Sequence, residues 1–117
     1  QAQAVEAAEQ CRRVDLPEIA PAAPLAEILA HWDCGRTLFF MDETGTGVSA
    51  VRAFGERKGC PAALLVGPEG GFSPSELELL RSLPYARAVS LGPRILRAET
   101  AVAAALSVWQ SVAGDWQ

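Results

Sequence analysis

The segment LLVGPEGGFSPSELELL, residues 64–80, restricts the fold more than any other part of the 117-residue chain. An apolar run reaches Gly67 and Pro68, continues through Glu69, Gly70 and Gly71, and passes at once into Ser73-Pro74-Ser75-Glu76. Pro68 biases Gly67 toward extended geometry, so a strand leaves its sheet cleanly there, while Gly70 and Gly71 are free to take positive φ and let another group approach the backbone. Ser73 as N-cap, Pro74 at the first helical position and Glu76 at the third form a capping box. A strand, a bare turn and a capped helix in that order belong to a parallel sheet, whose ligands bind beyond the carboxyl ends of its strands.

The flanking sequence extends the pattern. Ala4, Val5, Ala7, Ala8 and Cys11 form a helical stripe with no N-cap ahead of it, so a preceding segment is expected. A short β-like stretch covers Val14–Ile19, and a helix follows in PAAPLAEILAHW, with Leu25, Ile28, Leu29 and Trp32 on one face. RTLFFMDE, residues 36–43, has the unbroken apolar centre of a strand covered on both faces, and TGTG ends it. Residues 48–59 fit a short helix or an irregular arm equally well. A second buried strand spans Ala62–Val66, and the helix after the quoted turn runs to about Leu83, where Pro84 closes it. A third strand lies around Ala88–Leu91, PRILRAE forms a loop, and TAVAAALSVWQSVAG makes an alanine-rich last helix closing at Gly114. The expected fold class is α/β: a mainly parallel sheet with helices on both faces.

A chain of this length supports one core. It lacks an apolar run of the roughly 20 residues a membrane helix requires, and it reads as unexported, with no membrane partner. Cys11, Cys34 and Cys60 are scattered and odd in number, which fits a reducing cytoplasm better than a disulfide framework. With a single histidine and no clustered thiols, no metal site is expected. The net charge of −4 is unpromising for a nucleic-acid partner, but residues 81–98 carry Arg81, Arg87, Arg94 and Arg97 without one acid.

GPEGGF satisfies neither the phosphate-binding P-loop pattern nor the dinucleotide fingerprint, and Glu69 would oppose a phosphate. A ligand of positive character, read by backbone amides, suits the turn better. SLGPRILRAET, residues 90–100, repeats the design: a strand end, Gly92-Pro93, then Arg94, Arg97 and Glu99 ahead of a helix. Two such loops can form one pocket, with Ile95 and Leu96 lining it.

With EAAEQCRR, LPEI, LLVGPEGGFSPSELELL and SLGPRILRAETA in this order, the chain resembles the RsmE-like 16S ribosomal RNA uridine N3-methyltransferases of the SPOUT superfamily. The resemblance implies a SPOUT domain over residues 1–117 with a C-terminal deep trefoil knot, acting as a cytoplasmic homodimer on 16S ribosomal RNA or the small ribosomal subunit. It implies S-adenosyl-L-methionine as cofactor, held around Met41, Asp42, Val66, Gly67, Glu69, Gly70, Gly71, Leu91, Gly92, Ile95 and Leu96. Arg13, Arg94 and Arg97 become candidates for phosphate contacts and for stabilising uracil oxygens, and Glu99 a candidate base with a helix-stabilising role as its alternative. The PUA-like RNA-binding domain usual in the family has no counterpart here, and Arg12, Val14 and Asp15 depart from its pattern. Those departures favour the alternative of a non-catalytic SPOUT-like module that binds cofactor or RNA.

Overall fold

A computed structural model of the chain describes residues 21–42, 47–67, 71–92 and 97–114. The chain divides into two compact units, Gln1–Trp32 and Asp33–Gln117. In the first, the described residues form helix α1, Leu25–Ala30, with Pro24 in the N-cap position. Leu29 is buried but Ile28 is exposed, so the expected four-residue apolar face is not formed. Adjacent helical positions point about 100° apart, and so short a helix buries one of them. The helix also stops before Trp32, because His31 leaves helical geometry at φ −111° and ψ 25°.

The second unit carries β1 (Thr37–Met41), β2 (Val48–Ser49), α2 (Ala50–Gly55), β3 (Ala62–Leu65), α3 (Pro74–Ser82), β4 (Ala86–Ser90) and α4 (Ala98–Val112). The four strands stand in the order β2-β4-β1-β3, and every pairing is parallel. All five β1 residues are buried, as their unbroken apolar sequence requires of a central strand. β3, expected to be buried, is half-buried throughout because it lies at the sheet edge. β4 begins at Ala86, ahead of the expected start at Ala88. The polar Arg87 masks its beginning: the side chain is exposed, and Nη1 donates to the Pro84 carbonyl at 2.8 Å.

Residues 48–59 resolve into β2 and α2. Ser49 caps α2 by accepting the Arg52 amide at 3.4 Å, while Ala50, Ala53 and Phe54 turn inward. Gly47 approaches β4 so closely that a Cβ would stand 2.9 Å from the Val89 backbone, which excludes any side chain there.

Side chains alternate across the strands. Phe39, Met41 and Val89 face α2 and α4 in a core with Ala50, Ala53, Phe54 and Ala105. Phe39, Phe54 and Trp109 interlock there, with centroid separations of 5.0, 5.3 and 6.0 Å. Burial of each phenylalanine stabilises the fold by about 1.5–3 kcal/mol. On the opposite side, Phe40 meets Phe72 edge-on at 6.4 Å, just ahead of α3, whose Leu80 is fully buried. Helices therefore cover both faces, as expected.

Among the described residues, Cys34 and Cys60 are exposed. Among the described residues, no helix is long and apolar enough to cross a membrane, and no group of three or more His, Cys, Asp or Glu side chains could hold a metal ion. The expected elements at Ala4–Cys11 and Val14–Ile19 lie outside the described residues.

Candidate functional site

Three neighbouring strands end at one edge of the sheet. Phe40 pairs with Leu65 on one side of β1, and Met41 with Val89 on the other. The Asp42 amide donates to the Val89 carbonyl at 2.9 Å and extends the ladder one step beyond β1. Carrying the register onward brings Gly67 and Ser90 abreast of Asp42, each roughly 5 Å away across the sheet. The two glycine bends thus leave from either side of β1.

The side chains of Met41, Val66 and Leu91 turn into the core against α2 and α4, so what they offer this edge is backbone. Gly67 is hemmed in by Phe72, whose ring would lie 3.2 Å from an added Cβ. Gly71 takes φ +81°, where glycine is favoured. The capping box then forms as the sequence requires: the Ser73 amide donates to Glu76 Oε1 at 2.8 Å and the Glu76 amide to Ser73 Oγ at 3.2 Å. Across the edge, Gly92 takes φ +112°. The Gly92 amide donates to Ser90 Oγ at 3.1 Å, which braces the turn from the strand side. Among the described residues, a Cβ at Gly92 would meet nothing within 4 Å. Backbone left exposed in this way fits a ligand held by amides and carbonyls.

Arg97 occupies the N-cap position of α4 and is exposed. Its carbonyl accepts the Ala101 amide at 2.8 Å. Glu99 is exposed in the first turn of α4, where a carboxylate stabilises the helix dipole. Arg13, Glu69, Gly70, Arg94, Ile95 and Leu96 lie outside the described residues.

The carboxylate of Asp42 is fully buried, and Oδ2 accepts from Arg81 Nη2 at 2.9 Å. Sequence reasoning missed both this pair and the Ser90 brace. Arg81 reads there as one of several arginines, and no spacing rule joins residues 39 apart. Ser90 was detectable, because a serine two residues before a glycine is a recurrent side-chain-to-backbone turn.

Residues 1–110 match the family described as RNA methyltransferase domain. The chain is 38% identical to the ribosomal RNA small subunit methyltransferase E of Buchnera aphidicola subsp. Schizaphis graminum, a match covering 95% of this chain and 44% of that protein. It is 35% identical to the enzyme of the same name from Rickettsia conorii, with 88% of this chain and 42% of that protein covered. Its fold is similar to the crystal structure of ribosomal RNA small subunit methyltransferase E from Neisseria gonorrhoeae bound to S-adenosyl methionine. The TM-score is 0.83 at 29% identity, covering 100% of this chain and 48% of that one. The chain spans less than half the length of these relatives.

Proposed function

This chain belongs to the RNA methyltransferase domain family, and we propose that it is the cofactor-binding, catalytic part of an enzyme that methylates N3 of a uridine in 16S ribosomal RNA. One observation carries the reading: the register that sets Gly67 and Ser90 on either side of Asp42 at the carboxyl end of a parallel sheet, with Gly92 two residues beyond Ser90. S-adenosylmethionine, bound at this edge, supplies a methyl group activated on a sulfonium. The backbone at Met41, Asp42, Val66, Gly67, Gly71, Leu91 and Gly92 would hold it, joined by Glu69, Gly70, Ile95 and Leu96. Amides and carbonyls suit an adenine edge, and Glu69 suits a positive sulfonium as it would not suit a phosphate.

Uracil N3 is a weak nucleophile while protonated, so the protein must remove or offset that proton. Glu99, exposed in the first turn of α4, is the proposed acceptor. Arg97 beside it, with Arg94 and Arg13, serves the uracil oxygens and the flanking phosphates. N3 is hidden in a paired base, so the target is unpaired or flipped when it reacts. Orienting the base toward the methyl group supplies much of the rate.

The reading extends to a SPOUT-type trefoil knot formed through the two bends, and to a homodimer. The exposed Val102 and Leu106, one turn apart on α4, supply apolar surface for the second copy. The PUA-like RNA-binding domain of the family lies outside this sequence, and the enzyme works in the cytoplasm without a metal.

Calorimetric titration with S-adenosylmethionine and S-adenosylhomocysteine tests the cofactor site, and binding of neither overturns it. Methyl incorporation into 16S ribosomal RNA by the full protein tests the reaction. Cofactor binding without incorporation would establish a non-catalytic module instead.

A further inference from the structure

Arg81 lies in the last turn of α3 and reaches Asp42 across 39 residues of sequence. Helical side chains lean toward the helix N-terminus, which carries the guanidinium back toward the carboxyl end of the sheet. The two ends of the pair differ. The Asp42 side chain is 0% exposed and that of Arg81 is 47% exposed. An exposed pair contributes little, but taking a hydrogen-bonded cation away from a buried carboxylate is costly.

Asp42 is anchored through both its carboxylate and its amide. Its carboxylate goes to α3, which begins directly after the first bend, and its amide goes to the Val89 carbonyl on β4, which runs into the second. We infer that Arg81 is a positioning residue for the cofactor site: through Asp42 it fixes the helix behind one bend against the strand entering the other, and so sets the spacing between them. It touches neither cofactor nor the reacting atoms. The inference rests on the cofactor reading proposed above.

The test is calorimetric titration of S-adenosylmethionine into the full chain and into R81Q and R81K, at a temperature where circular dichroism shows each folded. R81Q raises Kd about tenfold or more, the scale of coupling between residues of one network. R81K keeps the charge without the planar fork and falls between. The unfolding midpoint without ligand reports the structural contribution separately. In D42N/R81Q, which removes charge and partner together, the midpoint moves back toward wild type while the loss of affinity persists.

A wild-type Kd in R81Q overturns the inference and leaves the cofactor reading standing. So does an affinity that returns with the midpoint in the double variant, since that is purely structural behaviour. If R81Q does not fold, R81K carries the same criterion, and a wild-type Kd there overturns the inference. Failure of the unaltered protein to bind S-adenosylmethionine removes the cofactor reading, and this inference with it.

Discussion

The bend after β3 and the bend after β4 leave the same sheet edge, yet the helices that follow them start differently. α3 is closed by a reciprocal pair of hydrogen bonds between Ser73 and Glu76, with Pro74 supplying a preset φ. α4 starts at Arg97, which makes no side-chain cap hydrogen bond. Support for the second bend comes instead from the strand side, where Ser90 Oγ holds the Gly92 amide. The first bend is thus braced after its glycines and the second before them. Both bends carry a glycine at positive φ, Gly71 and Gly92; the first is secured by the local capping sequence, whereas among the described residues the second is braced by the Ser90 hydroxyl.

The sharpest way to break this contrast is Gly92→Ala. A side chain at φ +112° costs on the order of 1–3 kcal/mol although no described atom would crowd it. Urea denaturation should show that loss, together with weakened cofactor binding. Ser73→Ala should cost about 1 kcal/mol, the usual loss of a cap. Its effect should appear as fraying of α3 in hydrogen exchange, with cofactor affinity changed much less. Ser90→Ala removes one hydrogen bond of about 0.5–1.5 kcal/mol. Here the affinity for S-adenosylmethionine should fall more than stability does, the reverse of Ser73→Ala, as paired calorimetry and denaturation would show.

The amino end of the sheet, remote from both bends, gives the smallest effect. Partial burial raises the Tyr85 phenol above its ordinary value of 10.0, and the nearby Cys34 raises it further. A raised folded value means that the stability tied to the neutral phenol is fully present below the unfolded tyrosine value. It is lost as pH climbs through the higher folded one. Absorbance titration should show Tyr85 ionising late, and Cys34→Ser should bring that ionisation earlier.

The same contrast explains what could be read from the sequence. The capping box follows from three residue types at fixed spacing, and β1 from an apolar run longer than an alternating strand allows. Both rules are local. The β2-α2 segment was illegible because Arg52, Glu56, Arg57 and Lys58 crowd its exposed side and blur the period set by Ala50, Ala53 and Phe54. β3 was taken as buried because apolar content does not distinguish an edge strand from a central one. The glycine bends identified the candidate site because bare backbone at a strand end carries its own signature. The Asp42–Arg81 pair carries none, since its geometry exists only after the sheet and α3 have packed.

The most direct test of the account follows the backbone amides of Gly67, Gly71 and Gly92 by NMR while S-adenosylmethionine is added. If the two bends enclose one ligand, all three resonances move along a single saturation curve, with one Kd that agrees with calorimetry. Movement confined to one bend, or two curves with different midpoints, would contradict it.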